Sequence, residues 1–176
     1  MIETERLLLR LPESSDAQML AELLADAEGM RYIGAGETGG LYDAVKQVAR
    51  MLHAWEADGF GRFVVVRKAD EVAIGRVGLL AWDPDTWQNG TRAEIGELAE
   101  IELGWQLARP AWGYGYATEA AGAVRDWAFA EVRPPRLISL IHPENLRSIH
   151  VAEKIGERFD RLVTTHRGVD VQLWAS

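Results

Sequence analysis

Residues 112–117 have the composition of an anion-binding turn at the start of a helix. Gly113 and Gly115 let the backbone approach a ligand without an intervening Cβ. The first N–H groups of a helix lack intrahelical partners, and the helix dipole adds about half a positive charge there. The turn therefore predicts a phosphate or pyrophosphate site. Thr118 stands near where a dinucleotide fingerprint needs a third glycine, and no P-loop sequence occurs, so both common nucleotide motifs are disfavoured.

A second group that could do chemistry is the carboxylate of Glu102, on the predicted strand that leads into this turn. Alternation places Glu100, Glu102 and Gly104 on one face of that strand. A carboxyl group with an ordinary pKa of ~4.3 is a poor base for a lysine ammonium at ~10.4, but a better match for an α-ammonium near ~7.7 to 8.0. Glu102 could thus deprotonate or orient an amine. The alternative is a solvent-exposed strand carboxylate with no chemical role.

The elements that must position these groups follow from hydrophobic periodicity and turn signals. Helices are predicted from the cap at residues 14–16, from Tyr42 to a stop at Gly59, over 116–132, and over 145–155. Residues 83–97 read as a polar loop. Strands are predicted over 6–11, 62–67, 72–82, 100–107, 137–141, 159–165 and 169–174.

This element order predicts one mixed α/β or α+β domain over residues 1–176. Residues 62–82 form an antiparallel hairpin in this interpretation. Residues 100–141 read as strand, helix, strand, so the two strands should be parallel and joined by a right-handed crossover. The turn at residues 112–117 lies at the carboxyl end of the first of these strands.

Composition limits the classes of partner. The net charge of -8 argues against a nucleic-acid partner, although it suits a cationic substrate such as a protonated amine or simply keeps the protein soluble. With no cysteine and no ligand spacing among the four histidines, no metal site is expected. No signal peptide or membrane span is visible, so we expect no membrane partner and a cytoplasmic location. Most of the seven tryptophans read as core, and Trp82 and Trp87 could line an acceptor pocket or a dimer contact.

The turn and its neighbours resemble the GNAT superfamily of N-acetyltransferases. The cofactor loop of that superfamily reads Gln or Arg, two residues, Gly, one residue, and Gly or Ala, which Gly115 and Ala117 match. Trp112 stands in place of Gln or Arg. The string Trp-Gly-Tyr-Gly-Tyr-Ala-Thr-Glu-Ala at residues 112–120 is typical of the branch that includes the Rim-type ribosomal-protein N-terminal acetyltransferases.

Three other segments extend the resemblance over nearly the whole chain. Residues 4–10 resemble the opening strand, residues 142–148 the Asn-x-x-Ser signature, and residues 152–156 the Lys-x-Gly signature. The resemblance implies a GNAT-like domain: a central mixed, mostly antiparallel sheet with one splayed parallel strand pair, flanked by helices.

The resemblance also implies acetyl-CoA as cosubstrate and direct attack by a primary amine, without a metal. The backbone at Leu107 and Ala108 would bind the pantetheine arm and the acyl carbonyl, as an oxyanion hole does. Arg109 and Lys154 would neutralise phosphate or else are surface charges. The full set of implied cofactor contacts is Leu107, Ala108, Arg109, Trp112, Gly113, Tyr114, Gly115, Tyr116, Ala117, Thr118, Asn145 and Lys154.

For catalysis, the resemblance implies Glu102 as the base and leaves the proton donor open. Many GNAT enzymes carry a tyrosine at the position of Ala152 in the last helix. Ser148, one turn earlier, is the substitute, either as a cofactor contact or as a proton donor. A serine at this position could also only bond its own helix.

Two other functions stay open from the sequence. One is an acyl-CoA-binding regulatory module without turnover, and the other is a nucleotide-binding or phosphosugar-binding protein that uses the same helix terminus. The acceptor is equally open between a protein N-terminus, a polyamine, an amino acid and an aminoglycoside, and so is a homodimer.

Overall fold

The computed structural model describes all 176 residues and contains a nine-stranded sheet with helices on both faces. The helices are α1 (Ala17–Ala25), α2 (Ala27–Met30), α3 (Leu41–Asp58), α4 (Arg92–Ile95), α5 (Tyr116–Trp127) and α6 (Leu146–Lys154). The strands are β1 (Ile2–Glu3), β2 (Leu7–Arg10), β3 (Arg62–Arg67), β4 (Val72–Trp82), β5 (Asn89–Gly90), β6 (Glu100–Leu107), β7 (Ile138–Ile141), β8 (Arg158–Thr164) and β9 (Asp170–Ala175).

The sheet is antiparallel except at one pair. Its order is β1-β2-β3-β4-β6-β7-β9-β8, with β5 paired to the end of β4. Only β6 and β7 run parallel, and α5 connects them. The predicted fold class, a mixed and mostly antiparallel sheet with one parallel pair and flanking helices, is confirmed.

Strand alternation gives the sheet two apolar faces. Val64 packs under α1 and α3, and we call this side the α3 face. Its neighbours Phe63 and Val65 point to the opposite side, the α5 face, where Ala120 and Val124 of α5 cover them. Each fully buried valine, leucine or phenylalanine contributes roughly 1.5 to 3 kcal/mol, so the two layers fix the sheet between the helices.

Residues 83–97 contain more structure than the predicted polar loop. Thr91 caps α4, since its hydroxyl accepts from the Glu94 N–H at 3.2 Å and the Glu94 carboxylate accepts from the Thr91 N–H at 2.9 Å. The Asp58 carboxylate, at the end of α3, accepts from the first two amides of α4. Trp87, which the sequence left open as the lining of an acceptor pocket or a dimer contact, is buried against Ile138.

The remaining differences are two short elements and the end of one helix. The short strand β1 and the single-turn helix α2 were not predicted. The predicted helix over 116–132 is α-helical only to Trp127 and then widens into a π-helical turn at Ala128–Val132, which Arg133 ends with φ 55°. The predicted stop of α3 at Gly59 is confirmed by its left-handed φ of 70°.

Candidate active site

The strands β6 and β7 are paired at one position and then separate. Glu102 is in register with Ile138, and beyond this point β7 pairs only with β9. At the apex of the opening, the Ser139 hydroxyl donates to the Leu103 carbonyl at 2.7 Å. We call the space between the two strands beyond Leu103 the strand cleft.

Main-chain groups of β6 point into the strand cleft at every second residue. The Ala108 N–H donates to the Ile74 carbonyl at 2.8 Å, which makes these two residues a hydrogen-bonded pair of the β4–β6 ladder. Because hydrogen-bonded pairs alternate along an antiparallel ladder, the N–H and C=O groups of Leu103, Trp105 and Leu107 point away from β4. The Ala108 amide is therefore bonded to β4 and does not face the strand cleft, unlike the prediction for this residue. The Trp105 amide faces the cleft instead.

Two side chains confirm this direction of the β6 carbonyls. The Leu103 carbonyl accepts from Ser139 on β7, and the Leu107 carbonyl accepts from the Trp112 indole N–H at 2.7 Å. The Trp105 amide and carbonyl and the Leu107 amide are left as polar main-chain groups along the cleft.

The turn before α5 presents six consecutive amides without an acceptor in the chain, from Gly113 to Thr118. Gly113 and Gly115 adopt left-handed φ angles of 82° and 81°, a conformation that most other residues resist. The first amide that is bonded is that of Glu119, which donates to the Gly115 carbonyl at 3.0 Å. We call the six groups the loop amides, and together they form a concave surface suited to a phosphate.

Glu119 fixes the loop to the edge of the sheet. Its carboxylate accepts from the Thr4 hydroxyl at 2.6 Å, from the Arg6 N–H at 2.9 Å and from Arg6 Nε at 2.7 Å. Although burial raises the pKa of Glu119, these hydrogen bonds lower it below its ordinary value. Arg6 also donates to the Tyr114 carbonyl at 2.9 Å, so Thr4 and Arg6 hold the loop in place, a contact that the sequence did not predict.

Two cations flank the loop on the side of α2. The Arg147 guanidinium lies 4.0 Å from the centroid of the Trp112 ring and pairs with Glu28 at 3.1 Å. Arg109 pairs with Asp26 at 2.6 Å. Both arginine side chains are more than half exposed, so these ion pairs contribute little and leave the cations available to a phosphate.

Helix α6 places its predicted site residues at opposite ends. Asn145 caps the helix by accepting from the Ser148 N–H at 3.3 Å, and the Ser148 hydroxyl makes no hydrogen bond within the chain. Lys154 is exposed on the last turn, roughly 13 Å along the axis from the cap at a rise of about 1.5 Å per residue. Since the cap lies at the carboxyl end of β7, the structure brings Asn145 and Ser148 toward the cleft but not Lys154.

Glu102 is buried, so the alternative of a solvent-exposed carboxylate is wrong. Only 8% of its surface is exposed, and the Trp82 indole N–H donates to its Oε2 at 2.7 Å. Burial raises the pKa of Glu102, while the charge of Arg62 and the Trp82 hydrogen bond oppose that rise. The carboxyl group is therefore a stronger base than an ordinary glutamate.

The sequence did not predict that two arginines, Arg62 and Arg76, lie near Glu102. Arg76 is 5% exposed, and its guanidinium donates to the side-chain carbonyls of Gln106, at 2.8 and 3.2 Å, and of Gln47. Burial and the charge of Arg62 hold the pKa of Arg76 well below its ordinary value. The available signal was a charged residue inside the otherwise apolar run of β4.

A second buried carboxyl group lies at the apex of the strand cleft. Glu157 is 3% exposed, and its Oε1 lies 3.1 Å from Ser139 Oγ, whose single hydrogen it shares with the Leu103 carbonyl. Its Oε2 has no partner. Burial, reinforced by the charge of Glu102 and opposed by the Ser139 bond, raises the pKa of Glu157 to about 7.

Glu157→Gln is expected to flatten the pH dependence of stability. Because the folded-state pKa lies above the ordinary 4.5, the folded state holds the proton more tightly, and the free energy of unfolding falls as pH rises from about 4.5 through about 7. At one pKa unit per ~1.4 kcal/mol, the loss by pH 8 is up to about 3 kcal/mol, and the glutamine variant should not show it.

Urea unfolding at pH 5 and pH 8 measures this difference. The exposed Glu153→Gln on α6 is the matched control and should follow the wild-type protein. Parallel curves for wild type and Glu157→Gln would show that Glu157 does not titrate in this range.

The structure contains no group of three or more His, Asp or Glu side chains that could hold a metal ion. None of its helices is both long enough and apolar enough to cross a membrane.

Comparisons with known proteins identify relatives that match most of the chain. The family model described as "Acetyltransferase (GNAT) domain" matches residues 6–158. The uncharacterised N-acetyltransferase YnaD of Bacillus subtilis (strain 168) is 29% identical over 157 residues, which cover 89% of this chain and 82% of YnaD.

Solved structures show the same fold. An acetyltransferase from Agrobacterium tumefaciens str. C58 is 31% identical with a TM-score of 0.79, over 99% of this chain and 92% of that one. The structure of AAC(6')-Ib in complex with ribostamycin and coenzyme A is 21% identical with a TM-score of 0.77, over 98% and 93% of the two chains. At that identity the likeness shows the fold alone.

Proposed function

The chain belongs to the GNAT acetyltransferase family, and from this premise we propose that it transfers an acetyl group from acetyl-CoA to a primary amine. The observation that carries the proposal is the row of loop amides, Gly113 to Thr118, next to a strand cleft lined with free main-chain groups. The loop amides are a cluster of donors suited to the phosphate groups of acetyl-CoA. The main-chain groups of the strand cleft follow one another along a line and suit the arm that carries the thioester.

The proposed cofactor position follows from the donors. The pyrophosphate would accept from the loop amides, with Arg109 and Arg147 at its side. The pantetheine arm would lie along β6 in the strand cleft, bonded to main-chain groups of Trp105 and Leu107. One of these two amides would donate to the acyl carbonyl oxygen, where negative charge develops during attack.

The chemistry requires one new bond and two proton movements. The neutral amine nitrogen attacks the carbonyl carbon, a C–N bond forms, the C–S bond breaks and thiolate leaves. We assign to Glu102 the proton that the amine loses, because its pKa is raised by burial toward that of an α-ammonium. Ser148, with its unbonded hydroxyl near the open end of the cleft, is a proposed contact to the cofactor sulfur and a proton donor to the thiolate.

Membership of the Rim-type branch is a further part of the proposal. It rests on the string at residues 112–120 and on Trp112, whose indole bonds the β6 main chain instead of offering the side chain of Gln or Arg. The two other functions left open by the sequence, a binding module without turnover and a nucleotide-binding protein, are not favoured by the family.

Thermal stabilisation by acetyl-CoA, compared with ATP and NAD, tests the proposed cofactor. A ligand at about 100 times its dissociation constant adds about 2.7 kcal/mol, which corresponds to a rise in Tm of roughly 5 to 10 °C for a protein of this size. Release of free coenzyme A in the presence of amines then tests turnover. A shift with ATP or NAD and none with acetyl-CoA would contradict the proposal.

A further inference from the structure

Position 104 on β6 lies between two opposite charges on the α3 face. A Cβ added to Gly104 would lie 3.6 Å from the Glu102 carboxylate and 3.9 Å from a terminal nitrogen of Arg62, and these are its nearest neighbours. The two charged groups are both within 4 Å of one point and therefore less than 8 Å apart. They are nevertheless not in an ion pair, which would require 4 Å or less between nitrogen and oxygen.

The guanidinium of Arg62 is the uncommitted member of this cluster. It is partly buried and donates no hydrogen bond to any group of the chain, whereas Glu102 is held by Trp82 and Arg76 is bonded to two glutamine side chains. Burial lowers the pKa of Arg62, which means that its positive charge is poorly solvated where it lies.

The cluster carries a surplus of positive charge in a protein of net charge -8. Arg62 and Arg76 are two cations, and the carboxylate whose charge acts on both of them is that of Glu102. A partly buried cation without a hydrogen-bond partner in the chain is available to an anion, and a guanidinium forms two parallel hydrogen bonds with a carboxylate. An anionic ligand group would thus stabilise the cluster, while a second cation would be repelled.

We propose that the acceptor is an amine that also carries a carboxylate, as a free amino acid does, with the carboxylate on Arg62 and the amine directed to Glu102. This inference rests on the proposed function and names the substrate class of the same site. In an α-amino acid the two groups are two bonds apart, so with one hydrogen bond at each end the molecule bridges a gap of less than 8 Å. Polyamines and aminoglycosides lack the anion and bring additional positive charge next to Arg62 and Arg76.

Steady-state kinetics on matched acceptor pairs test the proposal. Free amino acids and their carboxamides are compared at saturating acetyl-CoA by release of the coenzyme A thiol. The carboxamide has the less basic amine and hence more of the neutral nucleophile, so chemistry alone favours it. We expect the free acid to be preferred by about 10- to 100-fold in kcat/KM, from the loss of a charge-assisted hydrogen bond.

The variant Arg62→Gln should remove that preference by raising KM for the free acid. The ratio of kcat/KM for the acid and the carboxamide is compared, because any change that the loss of the Arg62 charge makes to the pKa of Glu102 acts on both acceptors. Arg62→Lys keeps the positive charge but not the paired N–H donors of the guanidinium. Its preference for the free acid should therefore lie between those of the wild-type protein and Arg62→Gln. The control is Arg67→Gln on the same strand, where the side chain forms an exposed pair with Asp70, and it should keep the wild-type preference.

Several results would overturn the proposal. Equal rates on acid and carboxamide would do so, as would acetylation of a polyamine, an aminoglycoside or a peptide N-terminus without acetylation of any free amino acid. Thermal stabilisation by acetyl-CoA is measured alongside on each variant. If it persists while no free amino acid reacts, only the substrate class is wrong, whereas its absence in the wild-type protein removes the proposed function itself.

Discussion

Gly115→Asp is expected to abolish the stabilisation of the protein by acetyl-CoA while the fold persists. The new carboxylate would lie at the N-cap of α5, where it accepts from the same loop amides that the pyrophosphate needs and repels the phosphate charges. Space for the side chain exists, because a Cβ at this position is 3.5 Å from its nearest neighbour, a nitrogen of Arg6. We expect at least about 100-fold weaker binding, equivalent to ~2.7 kcal/mol.

An aspartate at position 115 must also adopt the left-handed backbone of Gly115, which itself costs stability. A second variant is needed to separate this cost from the loss of acetyl-CoA binding. Gly168, in the turn between β8 and β9, has φ 73° against 81° for Gly115, and a Cβ there meets nothing within 4 Å. Gly168→Asp therefore introduces the same residue into a similar conformation far from the loop amides, and it should keep the full shift in Tm. Undiminished acetyl-CoA binding by Gly115→Asp would show that the pyrophosphate lies elsewhere.

Glu102→Gln is expected to lower kcat with little change in the binding of acetyl-CoA. Glutamine has the same shape and still offers an oxygen to the Trp82 indole, but it cannot take a proton from the amine. Loss of a general base reduces rates by about 10²- to 10⁴-fold. The wild-type kcat should also fall as pH decreases through the raised pKa of Glu102, because protonation removes the base, and this decline should be absent from the variant.

Glu100→Gln provides the matched control for this experiment. Glu100 lies on the same strand and the same face as Glu102, but its carboxylate is bound to Arg136. It should retain the wild-type kcat and pH profile. If Glu102→Gln also retains them, Glu102 does not act as the base, and the amine must lose its proton to water.

Much of the fold could be predicted because its signals are local. The strand alternation of β3 and β4, the glycine after α3 and the strand-helix-strand order around α5 are each visible within one segment. Helix α4 was missed although Thr91 and Glu94 form a capping box, because four residues are too few for periodicity. Its position also depends on Asp58, which is 34 residues away from Arg92 in the sequence.

In the candidate site, too, the features visible within one segment could be predicted and those that depend on distant residues could not. The loop at residues 112–117 was identified from its own glycines, and its role as the pyrophosphate site stays a prediction. Whether Ala108 or Trp105 offers its amide to the cleft depends on which β6 residues bond to β4, and this register joins strands that are distant in sequence. For Lys154, the signature gave the spacing but not the direction in which α6 runs from the cleft.

The burial of Glu102 and its charged neighbours could not be predicted from the sequence either. Alternation places Glu102 on a face of β6, but it does not show that the Trp82 indole donates to Glu102 or that Arg62 and Arg76 share that face. It is this burial that raises the pKa of Glu102 above its ordinary value.

The alternation of main-chain groups along β6 has an evolutionary consequence. At Trp105 and Leu107 the amides face the strand cleft, while the side chains pack into the core with α5. Replacing either side chain by another of similar volume changes that packing but leaves the amides in place, as long as the strand keeps its register. The proposed cofactor contacts on this strand can therefore survive extensive sequence divergence, and relatives sharing about 29% of their residues can differ at these positions without losing them.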